Sequence, residues 1–497
     1  MSAARRSAPS IAIVGAGMGG ISAGVLLRRA GITDLTIYEE AERVGGTWWH
    51  NRYPGAEVDV DSYVYSFPFA RHDWSRTHAR QAELHAYLEG VVTDHGLTPH
   101  LRLGTGVTRA EWDDERSGYH LTLSTGETAF AHVLISGVGF LNVPRYPDWP
   151  GLADFAGPCF HTARWESEHD LTGKRVVVVG TGSTASQLVP ALQPQVGELV
   201  VFQREPGWVM PKGDRDYSPE ERRRLANPFV HHTRRAKWYW ATEQRLWGGA
   251  VYRPGSPVNS LAERGARSYL AKVFADRPDL LSACTPTYPF WGKRPIYSSD
   301  YYPSLTKPNV TLVPRAVRSV TPTGVVDADG VEHPADVLVL ATGFRPVEYL
   351  AHLEVIGRGG RSLHEHWAGE ARAFLGVTVP GFPNFFMLYG PGTNGGEIAL
   401  NLRNQAAYAR GAIQRMRRHG LASVEVRRSW ADPYHAWLQS QVRDTAWAVS
   451  NNYFANPAGT IVTQWPFGAL TYGAMLKVLG PLSERRRRSK EPAESAD

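Results

Sequence analysis

Two glycine-rich turns, each set between an apolar strand and a helix, predict an α/β protein with two Rossmann-like dinucleotide-binding domains. The turns begin at Gly15 and Gly180, 165 residues apart. A third feature, the polar Arg- and Trp-rich stretch 217–283, adds a mainly helical insertion. At about 150 residues per domain, the 497-residue chain has room for two to four.

The elements follow in order along the chain. Ile11 to Val14 reads as a buried strand, and an apolar helix runs from the turn to about Ala30. Leu35 to Tyr38 is the next strand and ends at Glu39, which closes a β-α-β unit. Residues 45–70 are irregular, and Gln81 to His95 reads as a helix. Short strands fill 101–140, with turns at Asp113-Asp114 and Gly126. A Pro-rich connector spans Pro144 to Pro158, and the pattern then restarts. Arg175 to Val179 is a strand, Gly180 to Gly182 a turn, Ser183 to Leu192 a helix and Leu199 to Phe202 a strand. Val337 to Leu340 is a further strand running into the glycine turn at Gly343. The C-terminal third mixes helices and loops.

Composition excludes several classes. Apolar residues make up 42% and charged residues 21%, which indicates a soluble globular chain rather than a disordered one. The net charge of +6 owes much to the tail Arg485-Arg486-Arg487-Arg488-Ser489-Lys490, read as a solvated, frayed end. No basic stripe is interleaved with aromatics, so no nucleic-acid partner is expected. Cys159 and Cys284 lie 125 residues apart, which supports neither a disulfide framework, a zinc site nor a redox pair. No metal is expected, and a reducing cytoplasm is the natural compartment. Arg5 and Arg6 before the apolar stretch Ile11 to Leu27 imitate a signal peptide, but Gly15, Gly17, Gly19 and Gly20 inside it indicate a strand–turn–helix. No run is long enough to span a membrane.

The first turn, Gly15-Ala16-Gly17-Met18-Gly19-Gly20, fits G-x-G-x-x-G. Gly15 permits the tight turn, Gly17 lets the backbone approach a pyrophosphate, and Gly20 lets helix and strand pack closely. Glu39 lies 24 residues beyond Gly15, where an acid accepts bonds from ribose hydroxyls. The second turn, Gly180-Thr181-Gly182-Ser183-Thr184-Ala185, fits G-x-G-x-x-A, and the same count of 24 reaches Arg204. A cation there accommodates a 2′-phosphate. The pattern assigns FAD to the first site and NADPH/NADP+ to the second. Glu205 stands beside Arg204 as an acid able to read a free ribose instead, as in NADH.

Three further motifs narrow the family. Gly46-Thr47-Trp48, then Tyr53-Pro54-Gly55 and Asp59, resembles a G-x-W…[FY]-P-G…D signature of Baeyer–Villiger monooxygenases. Phe155, Gly157, His161 and Trp165 match the F-x-G-x₃-H-x₃-W fingerprint of that family, placed between the two nucleotide sites. Lys293-Arg294-Pro295, followed by Ser299 to Tyr302, resembles the segment that carries the family's active-site arginine. The resemblance covers roughly residues 10–400, and Glu166 departs from the Pro or Asp usual after the tryptophan.

The resemblance implies that NADPH reduces FAD, that O2 forms a flavin 4a-peroxide, and that a ketone becomes an ester or lactone. It assigns Arg294 and Asp59 to catalysis, with Asp59 as counter-ion. It places Gly46, Trp48 and Asp59 near the flavin, and Lys293 at the phosphate of the nicotinamide nucleotide. His161 and Trp165 are expected to be structural and dynamic rather than proton-transfer groups. The expected division is an FAD-binding domain of 1–142 and 330–497, a linker of 143–165, and an NADP-binding domain of 150–329. Expected partners are a small-molecule ketone and O2, with no nucleic acid and no membrane. The ketone and the oligomeric state are not legible. Oxidation of nitrogen or sulfur by the same flavin chemistry, or a flavin-binding scaffold without turnover, are the alternatives.

Overall fold

The computed structural model describes residues 9–449 and 452–488, without the side chains of 245–247. Arg5, Arg6, Ser489 and Lys490 lie outside the described residues. Ile11–Val14 is buried on both faces, as the centre of a parallel sheet requires. It sits third in a five-stranded parallel sheet ordered Phe385–Met387, Val133–Ser136, Ile11–Val14, Leu35–Tyr38, Leu101–Arg102. Helix Met18–Arg29 follows the first strand, with its residues from Met18 to Leu27 buried. Three antiparallel strands, Val107–Asp113, Gly118–Leu123 and Thr128–Ala131, form a second layer, joined in parallel by Glu354–Ile356.

The second unit repeats the plan. Its parallel sheet runs Val310–Val313, Glu198–Phe202, Arg175–Val179, Val337–Leu340, Cys159–His161. Two of these strands bear on the expected boundaries. The sequence reading returns the chain to the first unit at 330, yet Val337–Leu340 pairs inside the second sheet. Cys159–His161, where the expected linker of 143–165 overlaps the expected second domain of 150–329, is that sheet's edge strand. Val337–Leu340 is apolar and buried on both faces, so its composition suits either sheet and only the pairing decides. The chain crosses between the units twice, side by side. Arg145 N–H donates to Gly343 O at 2.8 Å, and Arg345 N–H donates to Val143 O at 3.0 Å.

The stretch 217–283 is mainly helical, as expected of its polar, Arg- and Trp-rich composition. Ser218 and Glu221 form a capping box on Pro219–Leu225, and Ser256 caps Pro257–Val273. Helix Pro228–Leu246 lies between them and reaches into the first unit. Its Arg234 meets the buried Asp61 at 2.8 Å. Its Glu243 accepts from Leu470 N–H and Thr471 N–H at the start of helix Ala469–Ser483. Farther along, Leu270, Phe274 and Leu280 join the core of the second unit, so the insertion packs on both.

The basic tail departs from expectation. Glu484–Arg488 is a strand paired antiparallel with Leu421–Val426, not a frayed end. Backbone pairing asks nothing of the side chains, and a row of exposed arginines is a common guard on an edge strand. Glu484, buried at its root, is gripped by Arg415 and Arg486.

Candidate active site

The two glycine turns have one backbone. Gly15 and Gly180 adopt φ +96° and +121°, open to glycine alone at no strain. A Cβ on Gly15 would stand 2.9 Å from Gly137 O, and one on Gly180 would stand 2.3 Å from Ala341 O. Gly17 and Gly182 each precede a helix, with φ/ψ of −77°/−171° and −78°/−171°. Neither helix start is capped by a side chain, so the leading N–H groups face the turn, the arrangement that receives a phosphate. A Cβ on Gly182 would meet nothing within 4 Å, and Ser183 and Thr184 beside it are only partly buried, which leaves room for a ligand. At the third position a Cβ on Gly20 would fall 1.8 Å from Gly15 O, whereas the second turn accepts buried Ala185. Gly46 closes over the first turn, with its would-be Cβ 2.9 Å from Gly17 Cα. These cradles fit two dinucleotides.

The strand ends differ. Glu39 is buried, and its carboxylate accepts from Ala16 N–H at 2.6 Å and Ala41 N–H at 2.9 Å. Burial raises its pKa, while those two bonds hold it down. Strand register corrects the count of 24. Val14 aligns with Tyr38 and Val179 with Phe202, so the counterpart of Glu39 is the buried Gln203. The stretch from the glycine turn to the end of the paired strand is one residue shorter in the second unit, whose helix Ser183–Leu192 is shorter than Met18–Arg29, and this moves Arg204 one place past the equivalent position. Arg204 is exposed and has no ionic partner among the described residues. Lys293 is not free: its ammonium is paired with Glu205.

Arg294 meets Asp59 at 3.2 Å. Asp59 is largely buried, while about half of the Arg294 side chain (53%) stays open, as for a group lining a cleft. Burial works against the Arg294 charge, but Asp59, with Tyr389, Tyr65 and Tyr297, outweighs it and raises the pKa. Gln187 holds the other side of Asp59, donating from Nε2 at 3.2 Å while accepting from the Tyr53 hydroxyl at 2.8 Å. Gln187 lies on helix Ser183–Leu192, so the second unit helps to place Asp59. Sequence reading missed Gln187, whose signal was its place five residues after Gly182. It also missed Glu397, a buried acid whose pKa burial pushes up to about 7 against the pull of Thr242, Arg235 and Arg294.

The linker residues are built in. His161 Nδ1 accepts from Ala163 N–H, so Nε2 carries the proton and donates to Gly343 O at 3.0 Å. Burial lowers its pKa to about 4. Both ring nitrogens are occupied by backbone, which leaves none for proton transfer. Trp165 packs edge-on against Phe160, Phe155 lies on the second core, and a Cβ on Gly157 would strike Asp336 O at 2.2 Å. Trp48 is buried against Tyr65. Asp59 and Arg294 are thus brought together, whereas His161 stands apart at the crossover.

Known proteins give the same reading. A family profile for pyridine nucleotide-disulphide oxidoreductases matches residues 12–239. Its disulphide chemistry has no counterpart in Cys284, which is buried with its thiol pushed up to about 12. A Baeyer–Villiger monooxygenase of Pseudomonas aeruginosa is 38% identical, the match covering 93% of this chain and 89% of that protein. Another from Streptomyces coelicolor is 37% identical over 92% of this chain and 88% of that protein. The crystal structure of cyclohexanone monooxygenase from Rhodococcus sp. Phi1 bound to NADP+ superposes with a TM-score of 0.88 at 28% identity, covering 97% and 99% of the two chains. Among the described residues, no helix is long and apolar enough to cross a membrane. Two like-built nucleotide turns and near full-length identity lead to one family, and this chain belongs to the Baeyer–Villiger monooxygenases, flavin- and NADP-dependent oxygenating enzymes.

Proposed function

We propose that this chain converts a small-molecule ketone into an ester or lactone, consuming NADPH and O2. The observation that carries the reading is the Arg294–Asp59 pair at 3.2 Å, whose carboxylate is also held by Gln187 from the helix that follows the second glycine turn. Gly15, Gly17, Gly20, Glu39, Gly46 and Trp48 would hold FAD, which when bound passes reducing equivalents from NADPH to dioxygen. Gly180, Gly182, Ser183, Thr184, Arg204 and Lys293 would hold NADPH. The first sheet and its antiparallel layer then form the FAD-binding domain, and the second sheet forms the NADP-binding domain.

The protein's own share is electrostatic. Arg294 keeps its charge at any working pH, so an oxygen nucleophile beside it stays deprotonated. The same guanidinium stabilises the oxyanion that forms when a carbonyl is attacked. Asp59 is its counter-ion, and Gln187 fixes the carboxylate. Phe155, Gly157, His161 and Trp165 couple the two units through the crossover.

The test is a panel of cyclic, aromatic and polycyclic ketones with NADPH and air. Ester or lactone is the expected product. Arg294→Ala is expected to lose on the order of 10²–10³-fold in product formation, while NADPH still bleaches the flavin. Sulfide or amine oxidation without any ester would move the assignment to heteroatom chemistry. An unaltered ester yield in the variant would remove Arg294 from the mechanism.

A further inference from the structure

Glu205 stands where a 2′-phosphate is expected to bind. Its backbone carbonyl accepts from Thr181 Oγ1 at 3.2 Å, which ties it to the second glycine turn. The Tyr288 hydroxyl holds the next residue through Pro206 O at 2.9 Å. The Glu205 carboxylate is paired with Lys293 Nζ, and both side chains are mostly buried. Lys293 also lies over the Tyr288 ring, 5.1 Å from its centre. Of the two cations expected at the phosphate, Arg204 is open to solvent and Lys293 is already neutralised.

We propose that Glu205 sets the nucleotide preference and makes this enzyme accept NADH alongside NADPH. A 2′-phosphate entering here meets one available cation and one carboxylate, and it must compete with Glu205 for Lys293. A nucleotide without that phosphate meets no such repulsion, and the carboxylate can accept from its ribose hydroxyl. Glu205 thereby narrows the margin that Arg204 provides. The inference rests on the reading that the second turn takes the nicotinamide nucleotide.

The test is calorimetric binding of NADP+ and NAD+ to the oxidised, FAD-loaded protein, so it reads affinity rather than turnover. Wild type is expected to bind the two within about tenfold of each other, the size of one charge-assisted contact. Glu205→Gln keeps the shape and removes the charge, and is expected to tighten NADP+ by about tenfold and to weaken NAD+. In the Lys293→Met background the same change is expected to gain less, because the freed cation is absent. If Glu205→Gln leaves NADP+ binding unchanged or weaker, the proposal is overturned, and Glu205 serves only to hold Lys293. Arg204→Ala separates the two levels. Unchanged NADP+ affinity in that variant defeats the reading of the second turn itself, whereas weakened NADP+ binding with no gain from Glu205→Gln defeats this inference alone.

Discussion

At the first turn the strand-end acid Glu39 is buried and already bonded to two backbone N–H groups. At the second turn the counterpart is a buried Gln203, and the charge sits one residue on, at the exposed Arg204. The turns themselves match to within 1° at Gly17 and Gly182. Backbone geometry therefore makes a nucleotide cradle, and the strand end decides what kind. An acid built into the fold gives a rigid site suited to a resident cofactor. An exposed cation suits a nucleotide that must leave on every turnover.

Glu39→Ala breaks this contrast most severely. It leaves Ala16 N–H and Ala41 N–H without their acceptor, and Ala16 is fully buried. The expected loss is about 2–4 kcal/mol of folding stability, read by urea unfolding, with flavin lost on gel filtration. Full flavin content and unchanged unfolding would mean that the first site is no more built in than the second.

Acid separates the crossover from both turns. His161 is neutral in the fold with a pKa of about 4, against an ordinary value near 6.5. Above pH 6.5 neither the folded nor the unfolded state binds its proton, so stability is unaffected. Between pH 6.5 and 4 only the unfolded state binds it, and stability falls as pH falls, by up to roughly 1.4 kcal/mol per unit. Wild type is expected to show this slope, and His161→Gln to lack that share of it. Parallel slopes for the two proteins would contradict a buried, neutral His161.

Arg204→Ala is the milder counterpart of Glu39→Ala. An exposed, unpaired arginine contributes little to folding, so unfolding is expected to stay within about 0.5 kcal/mol of wild type. The KM for NADPH is expected to rise about tenfold, with that for NADH nearly unmoved. A comparable rise for both nucleotides would detach Arg204 from the 2′-phosphate.

Local chemistry explains what the sequence revealed. Gly15 and Gly180 are required by positive φ and Gly20 by contact with Gly15 O, while the insertion was legible only as a polar helical stretch whose caps, Ser218 and Ser256, the structure supplies. Arg294 and Asp59, 235 residues apart, were paired only through family motifs, because no local rule brings them together. Long-range pairing hid the rest. Nothing in Val337–Leu340 names its sheet, and nothing in four consecutive arginines announces a partner at Leu421–Val426. The one-residue slip between Arg204 and Gln203 needs the strand register, since a count along the chain cannot see that the stretch from turn to strand end is one residue shorter. The Glu205–Lys293 pair spans 88 residues and was invisible for the same reason.

Gln187 carries the smallest expected effect and tests whether the two regions act together. It lies on the helix headed by the second glycine turn, yet its amide holds Asp59 of the first unit and donates to Glu57 O at 2.9 Å. A would-be Cβ on Gly55 lies 2.4 Å from Gln187 O, so the two segments touch at backbone distance. Gln187→Leu keeps the bulk and removes the amide. Among the described residues the Asp59 carboxylate would then keep only Arg294 as a partner, at a cost of about 1 kcal/mol, or roughly fivefold. The loss should fall on ester formed per NADPH consumed, with the rate of flavin reduction unchanged, because the nucleotide cradle is intact. A matching fall in flavin reduction would instead make Gln187 part of the NADPH site, and the two turns would then be coupled through the nucleotide rather than through Asp59.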